Sequence, residues 1–273
     1  MSPADPYGKT DKLDQSLLDV LVTRLEARGK HPIFEGMLKE YLSVMEIEGT
    51  LSVLDMGCGT GVASRTLLRQ PRFTGTVKGI DLSPHLVEVA NRLAVEEGFG
   101  ERSEFRTGDT RRLDVPGGAF DAVIAHTLVS HVDDPLAVIR EAARVVKPGG
   151  LIGIFDGDYA SLTFDHPDTA RAQAADDAII GAIVTSPRVM REMPRLLRAA
   201  GLTLIASRSH VVAEMGKADF WLPAIASFRR LLPAAGTMTE SAANALADAL
   251  VKASDEGVFF GSSNYYSYVA RRP

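Results

Sequence analysis

The stretch Asp55-Met56-Gly57-Cys58-Gly59-Thr60-Gly61 follows an apolar pair, Val53-Leu54, and a second acid, Asp81, closes the next apolar run, Val77-Lys78-Gly79-Ile80. Glycines at 57, 59 and 61 remove Cβ atoms where a strand turns into a helix, so backbone there can lie against a ligand at van der Waals distance. Asp81 stands about twenty residues further on, where a second parallel strand would end. A carboxylate is an acceptor-only group and can take both hydroxyl protons of a ribose. The pairing predicts a nucleoside ligand whose ribose is unphosphorylated.

A nicotinamide site shares the glycine-rich turn, but its pattern, G-x-G-x-x-G, puts the third glycine at the fifth step after the first. Here that step is Val62. An NAD(P)-dependent oxidoreductase is therefore the rival enzyme class. Three segments in order, Val53-Leu54-Asp55-Met56-Gly57-Cys58-Gly59-Thr60-Gly61, Gly79-Ile80-Asp81-Leu82-Ser83 and Arg106-Thr107-Gly108-Asp109-Thr110, resemble the motif series of class I S-adenosylmethionine-dependent methyltransferases of the small-molecule, methyltransferase-11-like type. Lys147-Pro148-Gly149-Gly150 resembles the turn before that family's fifth strand.

The resemblance implies S-adenosyl-L-methionine as cofactor, with S-adenosyl-L-homocysteine as product. It also implies roles: Asp55 and the turn residues Gly57, Cys58, Gly59 and Gly61 against the methionine and ribose, Asp81 on the ribose diol, and Leu82 on adenine. Asp109 would accept the adenine amino group beside Thr110, and His126 would line the cofactor pocket. The sulfonium methyl is already electrophilic, so in-line alignment and exclusion of water can carry much of the rate, up to about 7–11 kcal/mol from orientation.

For the transfer itself the candidates are His126 and His131 after the fourth strand, with Asp158 and Tyr159 after the fifth. Histidine is the side chain most often used as a base near neutral pH. Asp158 and Tyr159 would orient the acceptor or serve as turn residues. Asp156, Asp158 and His166 lack a recognised ligand spacing, and no metal is expected. Arg24 and Arg28 would reach a carboxylate of cofactor or acceptor, or form the wet face of a helix. Phe34, Met37, Phe220, Trp221 and Phe228 favour an aromatic or quinone-like small molecule, unless they are core. Oxygen, nitrogen and activated carbon all stay open as the methylated atom. A non-catalytic S-adenosylmethionine-binding regulatory module is the third reading.

These residues need a scaffold. Alternating strand and helix signals from residue 51 predict an α/β Rossmann-like fold, a mostly parallel seven-stranded sheet with helices on both faces. Strands are expected at 76–81, 103–107, 120–125 and 151–156, then at 202–213 and 264–270. Helices follow at 61–70, from Ser83-Pro84, and from Asp133-Asp134-Pro135. Two amphipathic helices, 12–28 and 32–47, precede the core, with Gly29 as a stop. Further helices near 168–184, from Ser186-Pro187 with a kink at Pro194, and over 217–255 with a break at Pro223, are lid insertions. One methyltransferase domain is expected: a cap at 1–48, a cofactor-binding core at 49–157, and completion of the core with lid helices at 158–273.

The 273 residues are 45% hydrophobic, enough for one large core, and the formal charge is −5. That charge disfavours nucleic acid, whose binding needs clustered Lys and Arg. Arg188, Arg191, Arg195 and Arg198 fall on one helical face and read as a solvated one. No apolar stretch approaches the length of about 18 residues expected of a membrane span, and Met1-Ser2-Pro3-Ala4-Asp5-Pro6 lacks a signal pattern, so a cytoplasmic protein is expected. Cys58, the one cysteine, reads as a small filler of the turn.

Overall fold

The computed structural model describes residues 5–166 and 168–273; residues 1–4, part of the stretch read for a signal pattern, lie outside them. Among these described residues seven strands form one sheet: β1 (Ser52–Met56), β2 (Thr76–Asp81), β3 (Ser103–Thr107), β4 (Phe120–His126), β5 (Val146–Phe164), β6 (Thr203–Gly216) and β7 (Phe259–Arg271). Their order is β3-β2-β1-β4-β5-β7-β6. The first five run parallel, while β7 pairs antiparallel with both β5 and β6. Nearly continuous burial along β1 and β4 is what a strand between two helix layers requires.

Among the described residues nine helices cover the sheet: α1 (Gln15–Lys30), α2 (Pro32–Val44), α3 (Val62–Leu68), α4 (Pro84–Glu96), α5 (Pro135–Val145), α6 (Thr169–Ile183), α7 (Val189–Ala199), α8 (Leu222–Ala234) and α9 (Glu240–Asp255), with a 3-10 turn at Tyr7–Lys12. Local chemistry starts several of them. The Ser83 hydroxyl accepts the Leu86 amide at 3.2 Å and Asp134 accepts that of Ala137 at 2.9 Å, each with proline at the first helical position. Asp14 caps α1 in the same way, accepting the Leu17 amide at 3.0 Å.

Several expectations are corrected. Gly29 does not end α1, which continues to Lys30; a Cβ there would sit 2.4 Å from Val62, so the glycine lets α1 lie against α3. Pro223 opens α8 and does not break the segment; the break is at 235–239, with Gly236 at φ +70° and Thr239 capping α9. Pro194 sits inside a continuous α7. It cannot donate to the Met190 carbonyl, and the Tyr268 hydroxyl does so instead at 2.9 Å. Arg191 on that helix is not merely solvated, because its guanidinium pairs with Asp158 at 2.7 Å.

The fifth strand also differs. It starts at Val146 and runs to Phe164, because β7 offers thirteen residues of partner edge, with Gly157 opposite Tyr265 and Asp158 opposite Asn264. Residues 156–159 are thus strand, not a turn. The apolar cap residues Phe34, Met37, Phe220, Trp221 and Phe228 are all buried in one core cluster with Tyr41, Phe155 and Tyr265. Among the described residues no helix is long and apolar enough to cross a membrane.

Candidate active site

Parallel register brings the carboxyl ends of β1, β2, β4 and β5 to one edge, since Met56 lies opposite both Ile80 and Ala125, and His126 opposite Phe155. Two adjoining clefts open there and share Tyr7, Gly57, Asp81, Leu128 and His131. Ligands of open α/β sheets bind at this edge.

The glycine turn is built as its composition demands. Gly57, Gly59 and Gly61 have φ of +69°, +53° and +81°. The amides of Gly57 and Cys58 donate to the Ile80 carbonyl at 2.8 and 3.1 Å, tying the turn to β2. Gly61 serves packing more than the cleft, for a Cβ there would meet Phe105 at 3.1 Å and Ala90 at 3.4 Å. Cys58 is buried beside the cleft, and burial pushes its thiol well above the ordinary range.

Asp55 is fully buried, and Ser64 donates to its Oδ2 at 2.6 Å, while Oδ1 has no partner. Burial, with the nearby Asp81 charge, raises its carboxyl to about 7. Asp81 accepts the amides of Gly59 through Oδ2 and Ser83 through Oδ1, each at 2.9 Å, and burial shifts it upward too. Leu82, Asp109 and Thr110 border the second cleft. Asp109 is held by the Arg111 guanidinium, whose Nη2 lies 2.8 Å from Oδ2, and this bond keeps its carboxyl low.

His126 and His131 have different surroundings. His126 stacks on Phe155 at 4.7 Å, its Nδ1 lies 3.1 Å from the Tyr41 hydroxyl, and its Nε2 is buried without a partner. Burial, aided by the Arg28 charge, drives its pKa down to about 3, so the ring is neutral. His131 borders both clefts, and its Nδ1 lies 3.0 Å from Asp5 Oδ2. Asp5 is itself buried and accepts from Thr185 Oγ1 at 3.0 Å and the Tyr7 amide at 2.9 Å. Gly8 lets the Tyr7–Lys12 turn close over this histidine, since a Cβ there would lie 2.4 Å from the His131 carbonyl oxygen.

Asp158 and Tyr159 are adjacent strand residues and point to opposite faces, so one pocket cannot receive both. Asp158 is spent on Arg191, and Tyr159 is buried with its ring 6.2 Å from that of His131. Asp156 accepts the amides of Ser130 and Gly157, and burial raises its carboxyl. His166 bonds the backbone of Asp168, and among the described residues no three His, Cys, Asp or Glu side chains are grouped so as to hold a metal ion.

Residues not anticipated at the site come from the cap. Glu26 on α1 accepts from Thr60 Oγ1 at 2.6 Å and pairs with Arg65 at 2.8 Å, fastening the helix over the glycine turn. Arg28, already a candidate from the sequence, is buried instead of lying on a wet face and donates to Thr127 Oγ1 at 3.1 Å. Thr127 follows β4 at φ +54°, a conformation a β-branched residue adopts only under local constraint.

Residues 54–154 match the family described as Methyltransferase domain. A sterol 24-C-methyltransferase of Gibberella zeae is 28% identical over 178 residues, covering 65% of this chain and 46% of that protein. The ubiquinone biosynthesis O-methyltransferase of Xanthomonas axonopodis pv. citri is 38% identical over 112 residues, 41% of this chain and 45% of that protein. The chain spans about half the length of the curated relatives it matches. The crystal structure of the [4+2]-cyclase SpnF superposes with a TM-score of 0.64 at 20% identity, covering 99% of this chain and 98% of that one. Residues 54–154 thus carry a methyltransferase domain, and the glycine turn and strand order give it the fold of the class I S-adenosylmethionine-dependent methyltransferases.

Proposed function

We propose that the chain methylates a small molecule that loses a proton as it reacts, through a hydroxyl, an amine or an activated carbon. One observation carries this reading: the His131 ring, held by Asp5, borders the same cleft as Asp55, the glycine turn and Asp81. Fold likeness alone would not suffice, because one scaffold hosts many chemistries.

The residues fit the family's cofactor. Asp55 Oδ1 is a buried carboxylate oxygen lacking a partner, suited to the ammonium of a methionine group. Asp81 retains lone pairs beyond its two amide bonds for a ribose diol, and the left-handed turn at Gly59 has only Leu25, at 3.4 Å, near a would-be Cβ. Leu82 and Thr110 would flank the base, and Asp109 would offer it the lone pairs Arg111 leaves. When bound, S-adenosyl-L-methionine supplies an electrophilic methyl group on a sulfonium and leaves as S-adenosyl-L-homocysteine.

The protein does the rest. Asp5 holds the proton on Nδ1 of His131, which leaves Nε2 as the acceptor for a proton from the substrate. His126, neutral and stacked, forms a wall without drawing in a counter-ion. The Tyr7–Lys12 turn covers both clefts and keeps water from the reacting atoms. We read the whole chain as one such domain, with 1–48 as its cap.

Calorimetry with S-adenosyl-L-homocysteine, NADH and the Asp81→Ala variant tests the reading. Adenosyl binding that fails in the variant, no binding of NADH, and release of S-adenosyl-L-homocysteine when acceptors are supplied would support it. Binding of NADH alone would sink it, and cofactor binding with no turnover across hydroxyl, amine and carbon acceptors would reduce the chain to a sensor.

A further inference from the structure

The two outer strands of the sheet are built differently. β3 closes one edge with five residues, two of which, Glu104 and Arg106, are charged. β6 closes the other with fourteen residues, no proline and two permanent charges, Arg208 and Glu214. Among the described residues β7 pairs with one side of β6 and no strand pairs with the other. Natural sheets shield an edge by shortness, charge, proline or a bulge. β6 has a bulge between Leu204 and Ala206, but from Ala206 to Gly216 its register with β7 is unbroken.

Its two faces differ in chemistry. Arg208 and His210 lie 3.5 and 3.1 Å from Glu40 of α2, and Val212 is buried, so the even-numbered residues face α2. Ser207, Ser209, Val211, Ala213 and Met215 take the opposite face and carry no charge. Val211 is 73% exposed and Met215 76%, more than any other large apolar side chain among the described residues. Phe260, opposite Met215 on β7, extends the same patch.

The strand is complementary to itself. Val211 is the midpoint of the regular stretch, and a second copy laid antiparallel about that point sets Val211 against Val211, Ser209 against Ala213 and Ser207 against Met215. On the other face the same register sets Arg208 against Glu214, once on each side of the axis. Glu214 accepts the amides of Asp219, Phe220 and Trp221 and pairs with no cation among the described residues, while the Arg208 side chain is 48% exposed. Directly opposite side chains share a face at a Cβ separation of about 5 Å, close enough for each of these pairs to touch. A ladder of this length supplies about ten hydrogen bonds between chains, the number of a typical stable interface.

We propose that two copies of this chain associate through β6 into a two-fold dimer with one continuous sheet, its axis at Val211. The interface buries the uncharged patch and gives Glu214 a cation. β7 separates β6 from the strands that carry the clefts, so pairing leaves both clefts open. Association of this kind does not depend on what the clefts bind.

Sedimentation of the full chain over a concentration series reads its mass, and the expected species has twice the mass of the chain. Val211→Lys apposes two ammonium groups at the axis and should weaken association about 100-fold or more. Arg208→Glu apposes carboxylates on both sides of it and should weaken association about tenfold. Both side chains are exposed in the single chain, so the melting temperatures of the dilute variants should match wild type.

Val211→Cys reads the register. Two copies of that residue meet across the axis and should join in a disulfide between chains on exposure to dissolved oxygen, whereas Ser209→Cys, which faces Ala213, should not. Cys58 is buried and stays out of the reaction. A chain that sediments as a monomer throughout the series, with Val211→Cys left unlinked, overturns the dimer. A dimer that Val211→Lys leaves intact overturns it equally, because its interface then lies elsewhere.

Discussion

Asp5 Oδ2 stands 3.0 Å from Nδ1 of His131, across 126 positions of sequence. The contact joins the amino-terminal segment to the turn after β4 and gives the proposed base a fixed orientation. Asp5→Asn keeps the shape but can hand the ring the wrong tautomer. Its expected effect is a fall in kcat of about 10- to 100-fold with the KM for S-adenosyl-L-methionine unchanged, and His131→Ala should lose about 100-fold or more. Steady-state release of S-adenosyl-L-homocysteine measures both, and equal turnover in wild type and His131→Ala would remove the base.

Asp55 makes cofactor affinity depend on pH. Its carboxyl titrates near 7 in the free protein, while a bound ammonium favours the ionised form. Binding should therefore strengthen as pH rises through 7, by about tenfold between pH 6 and 8. Calorimetry at both pH values checks this, and Asp55→Asn should bind weakly with no such dependence.

Asp55 and His126 also tilt stability in opposite senses. Asp55 holds its proton up to about 7 when folded but only to 3.8 when unfolded, so its contribution is complete below 3.8 and is lost as pH rises toward 7. His126 resists protonation down to about 3 when folded but gains a proton near 6.5 when unfolded, so its contribution is lost as pH falls from 6.5. Between pH 4 and 6.5 the two slopes oppose, each at most about 1.4 kcal/mol per pH unit. Urea melts should show His126→Phe losing stability as pH rises relative to wild type, and Asp55→Asn gaining it.

Gly29 offers a test of the cap's seating. Gly29→Ala places a Cβ 2.4 Å from Val62 Cγ1 and should cost about 1–3 kcal/mol of stability. Adding Val62→Ala should recover most of it. Thermal melts of the single and double variants decide, and a stabilised Gly29→Ala would show that helix propensity outweighs the contact.

Legibility in the sequence followed the range of the interactions. The glycine turn, Asp81, Ser83 as a cap and the strands at 76–81 and 103–107 depend on residues close in sequence, and they stand where residue types placed them. Asp5 escaped notice because its meaning lies in a partner 126 positions away. Gly29 has the look of a helix stop, yet its role comes from Val62 on another helix. Position after the fifth strand suggests Asp158 and Tyr159 either as side chains orienting the acceptor over the carboxyl edge or as turn residues; β7 instead extends β5 through them, and the strand's two-residue period parts them. Arg111 against Asp109 was readable in principle, two residues apart, but no local rule favours that fork over solvent.

The insertion of β7 between β5 and β6 carries a consequence for assembly. Forty-two residues separate the end of β6 at Gly216 from the start of β7 at Phe259, yet β7 is its partner in the sheet. Until that last strand docks, β5 and β6 both expose unpaired backbone edges, and long-range pairing of this kind is slow to form. The parallel half can fold around the glycine turn first, and Tyr265, opposite Gly157, enters the wall behind His126 last. A nascent or heat-stressed chain is thus most prone to edge-to-edge aggregation at β5 and β6, and a short peptide copying residues 259–271 would compete for the slot that the chain's own strand fills.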